Sequence, residues 1–292
     1  MPVSNPILRH WKKQQQIFLY NLAILKKQIN AEAIHDLRVA IKKLRSYFKL
    51  YVIICEQADW KSDFSETEKL FSILGKYRNV EMNYNLVESF AEENLAAYPS
   101  LQSHFIANLR IAAGWIKKIV DEYESDELKA FSEKLNSGLS KFTNEQIQDE
   151  IQKIIRGDLK KAIPHFKKLR ENTHEVRKHL KDIFYWLELC PAEVIYSTPQ
   201  RKKLHKILDG LGDWQDNEVL LIKVKHFRKD YIAKEADEYN DLKQLEKFIK
   251  NKKDDLLNVA EEKMKTFLKE PQGKLPVKTV TKNAVPNNPS PG

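Results

Sequence analysis

The stretch Ile34-His35-Asp36-Leu37-Arg38-Val39-Ala40-Ile41-Lys42-Lys43-Leu44-Arg45-Ser46-Tyr47-Phe48-Lys49 decides the fold class. Wound at about 100° per residue, it separates into two stripes. His35, Arg38, Lys42, Arg45 and Lys49 share one face. Leu37, Ile41, Leu44 and Phe48 share another, about 110° away. Such a helix buries its apolar stripe in a core and holds a ladder of cations beside it.

A second ladder lies at a fixed shift, 174 − 35 = 139. His174, Arg177 and Lys181 fall where His35, Arg38 and Lys42 fall, and Val176, Leu180, Ile183 and Leu187 repeat the apolar stripe. The copies then diverge, with Phe184 opposite Arg45 and Glu188 opposite Lys49. Arg170 and Lys178 flank His174 and compensate at the N-terminal end. Further on, Leu74-Gly75-Lys76-Tyr77-Arg78-Asn79 is echoed by Leu211-Gly212-Asp213-Trp214-Gln215-Asp216. The histidine-to-glycine spacings are close, 75 − 35 = 40 and 212 − 174 = 38. Paired motifs in the same order predict two related helical halves, about 1–143 and 144–270.

The composition narrows the function classes. The 292 residues include 50 Lys+Arg against 41 Asp+Glu, a net charge of +9, which is modest for a nucleic-acid binder. The distribution is more telling. Residues 156–181 carry nine basic and three acidic side chains, whereas 121–133 carry six acids against Lys129 alone. Segregation of this kind shapes a field that attracts anions. Only 8 glycines are present, too few for folds built on tight turns or on phosphate-cradling loops. Cys55 and Cys190 stand in apolar runs and read as two buried thiols in a reducing compartment, without metal or disulfide. No apolar leader or bilayer-length stretch is visible, so a cytoplasmic protein without a membrane partner is expected.

Helical spacing predicts a helix over 7–28, then one started by an Asn30 cap and carrying the opening stretch. A segment around 70–74 is expected to stop at Gly75, and 77–97 to resume as a separate helix ending before Pro99. Two more follow at 101–122 and 127–142. In the second half a turn is expected at Gly157 and a helix break or start at Pro164. Asn172 with Glu175 suggests a capping box for a helix reaching Cys190. Residues 201–211, stopped by Gly212, then 217–231 and 236–268 complete the set. No strand pair is evident, and the fold class is all-α. The tail 271–292 is rich in proline and asparagine and reads as disordered.

These residues carry a resemblance. The His-x-x-Arg motif with its spaced cations, in both copies, and the Leu-Gly-x-x-Arg-Asn and Leu-Gly-x-x-Gln-Asp elements resemble the conserved-histidine α-helical domain family, abbreviated CHAD, over about residues 1–270. The resemblance implies two pseudo-symmetric bundles of long helices around a positively charged central channel that binds inorganic polyphosphate. Asn79 stands where the family has Asp, which removes the acid expected to pair with Arg78. Phe184 replaces a second-half cation.

The chemistry of the residues agrees with that implication. A linear polyphosphate has closely spaced charges and no bases to read. Arg38, Arg45, Arg170 and Arg177 can grip phosphate oxygens bidentately. Lys42, Lys49, Lys178 and Lys181 add mobile point charges, and His35 and His174 further donors that a polyanion keeps protonated. Lys69 and Lys206 occupy matching places before the two glycines and widen the rim. Gly75, Arg78, Gly212 and Asp216 read as structural. No glycine-rich phosphate loop, nucleophile elbow or His-Glu-x-x-His is present, so a binding domain without catalytic residues, metal or cofactor is expected.

Two other classes fit parts of the pattern. One is a nucleic-acid binder gripping RNA or DNA phosphates, which would interleave aromatics with the cations; of Tyr47, Phe184, Tyr185 and Trp186, only Phe184 falls on the cationic face. The other is a scaffold whose ladders pair internally with acidic segments such as 121–127. Localisation to polyphosphate granules accompanies the first reading. The oligomeric state is not encoded in any of these features.

Overall fold

Asn30 starts the helix that carries the opening stretch. Its Oδ1 accepts a hydrogen bond from the Ala33 backbone N–H at 2.8 Å, satisfying one donor left unpaired at a helix start. In this computed structural model, which describes residues 6–56, 64–166, 168–189 and 196–269, that helix is α2 (Ala31–Cys55). It follows α1 (Pro6–Lys27) and precedes α3 (Ser65–Asn94), α4 (Pro99–Glu122) and α5 (Asp126–Leu139). The second half holds α6 (Asn144–Phe166), α7 (Leu169–Glu188), α8 (Thr198–Tyr231) and α9 (Asp237–Lys269). All regular structure among the described residues is helical, as the patterning predicts.

Packing follows the stripes. Leu37, Ile41, Leu44 and Phe48 are each 0% exposed, and Val176, Leu180, Ile183 and Leu187 at most 1%. Full burial of such side chains contributes about 1.5–3 kcal/mol each relative to leaving them in water. The most extensive contacts join α1 to α2, α3 to α4, α6 to α7 and α8 to α9. Short connections make each of these an antiparallel hairpin. The hairpins meet through α2 against α6 and α7, and α3 against α8, while α5 packs on α1 and α2. A main core fills the centre. A smaller one joins the far ends of α3 and α4 to those of α8 and α9, through Val87, Phe90 and Phe105 with Val224, Phe227 and Leu242.

Several local expectations are corrected. Gly75 and Gly212 do not end helices; α3 and α8 run straight through them. No described glycine has a positive φ, and the left-handed caps fall to Glu56 (φ 50°) and Leu95 (φ 49°) instead. Gly157 and Pro164 both lie inside α6, the proline in its last turn. There it removes the N–H that would bond the Lys160 carbonyl, and its ring crowds that carbonyl, two residues before the helix ends. Asn172 does mark a break, with φ −125° and ψ 25° inside α7. Its side chain, however, donates back to the Lys168 carbonyl at 3.1 Å. Cys55 is half-buried rather than buried. Cys190 and the tail 271–292 lie outside the described residues.

A candidate anion-binding cavity

The two ladders face each other across a cavity of about 540 Å³ walled by α2, α3, α7 and α8. From α2 come His35, Arg38, Lys42, Arg45, Ser46 and Lys49; from α7, Arg177, Lys181, Asp182 and Tyr185. Helix α3 supplies Phe71, Arg78, Asn79 and Met82, and α8 supplies Gln215, Asp216 and Val219. Much of this lining obeys a register. Arg38, Lys42 and Ser46 correspond to Arg177, Lys181 and Tyr185 at 177 − 38 = 139. Arg78, Asn79 and Met82 correspond to Gln215, Asp216 and Val219 at 215 − 78 = 137.

Some of the cations are already engaged. Arg38 Nη1 donates to the Phe71 carbonyl at 2.8 Å, and its guanidinium lies 4.2 Å from the Phe71 ring centre. Arg45 lies 3.8 Å from the same ring and makes a bidentate pair with Glu68, Nε to Oε1 at 2.5 Å. Lys49 reaches Asp182 at 3.4 Å. Arg78 pairs with Glu81 at 2.6 Å, the next turn of α3, in place of the acid that Asn79 lacks. The acidic segment near 121–127 is engaged elsewhere. Asp121 pairs with Lys117, and Glu127 accepts from the Glu66 and Thr67 backbone N–H groups at the start of α3.

Lys42, Arg177 and Lys181 differ from these. Among the described residues none of the three has an ion pair or hydrogen-bond partner for its side chain. Burial, reinforced by Lys181, Arg38, Arg177 and Arg45, pushes Lys42 down to about 7. Burial with Arg177 and Arg38 lowers Lys181 to about 8, against a pull upward from Asp216 and Asp182. Arg38 falls to about 10 for the same reasons and stays charged at neutral pH, as guanidinium groups do. His35 is lowered by burial and by Arg78. Asp216 is raised by burial although Arg177, Arg78 and Lys181 oppose the shift. Seven lysine and arginine side chains thus share the wall with two carboxyls, Asp182 and Asp216.

Seven of the twelve predicted ladder and rim residues line this cavity: His35, Arg38, Lys42, Arg45, Lys49, Arg177 and Lys181. The other five do not. Lys69 is exposed and paired with Glu66 at 2.6 Å. Arg170 turns to α9, bonding Asn258 and approaching Glu261 at 3.4 Å. Lys178 faces Glu175 at 3.9 Å, and Lys206 borders a separate groove with Ile207 and Phe267. His174 is exposed and stands one residue back, its Nδ1 3.1 Å from Gln215 Oε1. The break at Asn172 explains Arg170, since a helical face cannot be extrapolated across it; Lys178 is simply one position, about 100°, off the Arg177 row.

Sequence reasoning also missed parts of the wall. Tyr185 continues the row Arg177, Lys181 at a further i+4 step, whereas Phe184 turns to the core and meets His205 edge-on at 5.3 Å. Arg78 and Asp216, read as structural, are lining residues. Of the two motif glycines, Gly75 alone is crowded by an arginine. A Cβ on Gly75 would lie 2.6 Å from Arg38 Nη1, and one on Gly212 would lie 4.0 Å from Arg177 Nη2.

The sequence matches the family model of the CHAD domain over residues 9–223. The chain belongs to the CHAD family. A solved CHAD domain, the crystal structure from the plant Ricinus communis, superposes with a TM-score of 0.65 at 13% identity, covering 87% of this chain and 89% of that one. At that identity the likeness is one of fold. No curated protein matches the sequence. Within the CHAD match lie both ladders, both glycine elements and all seventeen residues of the cavity wall. Among the described residues no group of three or more His, Cys, Asp or Glu is arranged to hold a metal ion, and no helix is long and apolar enough to cross a membrane.

Proposed function

We propose that this CHAD chain binds inorganic polyphosphate in the α2–α3–α7–α8 cavity and does not transform it. One observation carries the reading: Lys42, Arg177 and Lys181 converge with Arg38 on one space, among the described residues none of the first three has an ion pair or hydrogen-bond partner for its side chain, and the wall holds only two carboxyls, Asp182 and Asp216. Like charges held together and half-buried destabilise the empty site. A polyanion threaded between them supplies the missing charges at every step, with arginine forks gripping phosphate oxygens.

The two-half organisation belongs to the same proposal. Residues at shifts of 139 and 137 supply both walls, which supports two related halves, 1–143 and 144–270, closing on one channel. The absence of catalytic motifs from the sequence supports binding without turnover. A location in the cytoplasm or on polyphosphate granules follows from this role.

RNA and DNA are the competing ligands. Single strands bind by stacking successive bases on exposed aromatic faces; of the two wall aromatics the Phe71 ring is covered by Arg38 and Arg45, which leaves Tyr185 alone. A duplex is far too wide for the cavity. The test is a titration with long-chain polyphosphate, and with RNA and DNA of comparable charge, at physiological salt. Tight polyphosphate binding with weak nucleic-acid binding is expected. Equal affinities for all three, falling steeply together with salt, would replace the proposal with general electrostatic attraction.

A further inference from the structure

We propose that Lys42 is a covalent capture site for small phosphorylated aldehydes, its amine forming an imine with the aldehyde carbon while the guanidinium groups of Arg38 and Arg177 hold the phosphate. The inference uses the same cavity but does not depend on polyphosphate being its ligand. Three features combine. Lys42 opens into a cavity with room for a small molecule and has no ion pair among the described residues. The groups influencing it are cationic: Arg38 and Arg45 from its own helix, Arg177 and Lys181 from α7. Arg78 from α3 lines the same space, and the carboxyls that share it are Asp216 from α8 and Asp182 from α7.

A lysine placed beside other cations in a desolvated site is an activated amine. In the empty cavity Lys42 sits at about 7, so about half its amines are neutral at pH 7, against roughly one in 2,500 for a lysine near its ordinary value. Lys181, at about 8, is the next most available. The cations that keep Lys42 neutral are also donors for phosphate. An aldehyde carrying a phosphate is therefore drawn in by one end and meets a nucleophile at the other.

The step balances without any redox partner. The neutral amine's lone pair attacks the carbonyl carbon, a proton passes from nitrogen to oxygen, and the carbinolamine loses one water to give the imine. Nothing is oxidised or reduced. A phosphate bound in the same site, the aldehyde's own included, raises the amine's affinity for a proton, so imine formation with a bound phosphorylated aldehyde speeds up as pH rises above neutral, and a polyanion that fills the cavity blocks Lys42 outright.

The experiment treats the full chain at pH 7 with pyridoxal 5′-phosphate, reduces with borohydride to fix any imine as a secondary amine, and maps modified lysines by mass spectrometry. Pyridoxal, which lacks the phosphate, is run in parallel. The expected result is modification of Lys42 about ten-fold or more above exposed lysines such as Lys69 and Lys206, with Lys181 second. Pyridoxal should label Lys42 far less. Lys42→Arg, which keeps the charge, should abolish the imine absorbance. Even labelling across exposed lysines, or equal labelling of Lys42 by the two aldehydes, would overturn the proposal. Because no polyphosphate is present, this outcome is read independently of whether polyphosphate binds.

Discussion

Replacing each of the two motif glycines by alanine should move the protein in opposite directions. Inside a helix, alanine is favoured over glycine by about 0.5–1 kcal/mol. At Gly212 the new Cβ meets only Arg177 Nη2, at 4.0 Å, an ordinary contact. Gly212→Ala should therefore stabilise by about 0.5–1 kcal/mol. At Gly75 the same atom would lie 2.6 Å from Arg38 Nη1, and the guanidinium must move. It then loses its 2.8 Å bond to the Phe71 carbonyl and its place over the Phe71 ring. A hydrogen bond from a charged group contributes about 1.5–3 kcal/mol, and the ring contact about 0.5–1. After the helix gain, Gly75→Ala should destabilise by about 1–3 kcal/mol. Urea unfolding with an unchanged slope reads both signs, and calorimetry should show weaker polyphosphate binding for Gly75→Ala alone. Two substitutions of equal sign and size would refute the idea that Gly75 exists to admit Arg38.

Polyphosphate binding should take up protons. An anion raises Lys42 and Lys181 from about 7 and about 8, so the bound state holds more protons and affinity falls as pH rises through these values. Near pH 8 the uptake should be on the order of one to one and a half protons, a loss of about ten-fold or more in affinity per pH unit. Calorimetry in buffers of different ionisation enthalpy measures it, and zero uptake would contradict the cavity's electrostatics. Far from the site, Leu95 holds a left-handed φ of 49° at the end of α3 while 96% exposed. Leu95→Gly should stabilise by about 1 kcal/mol in urea unfolding, with polyphosphate affinity unchanged.

The apolar stripes were fully legible because burial of Leu37, Ile41, Leu44 and Phe48 depends only on helical period. The first ladder was equally clear, since α2 is one uninterrupted helix from Ala31 to Cys55. The second was legible only at Arg177 and Lys181. The break at Asn172 resets the face of α7, so Arg170 cannot be placed from spacing alone, whereas His174 lies beyond the break and still stands outside the wall, exposed beside Gln215. Gly75 and Gly212 were misread by a sound local rule, that glycine ends helices. At Gly75 the reason is tertiary, since the Arg38 guanidinium from α2 lies where a Cβ would be; at Gly212 nothing in the structure requires a glycine. Arg78 and Asp216 were seen as structural because nothing in one helix shows which face a partner helix turns into a wall.

The central claim concerns place, not charge in general, and two variants that each lose four basic residues test it. One removes the cavity cations with Arg38→Ala, Lys42→Ala, Arg177→Ala and Lys181→Ala. The other removes Lys69, Arg170, Lys178 and Lys206, basic residues that stand outside the cavity wall. Each set deletes four positive side chains, and circular dichroism checks that helicity is kept. Titrated with long-chain polyphosphate at physiological salt, the cavity variant should lose about 100-fold or more in affinity, while the outer variant stays within about three-fold of the parent. Equal losses in the two, or a larger loss in the outer one, would contradict the account.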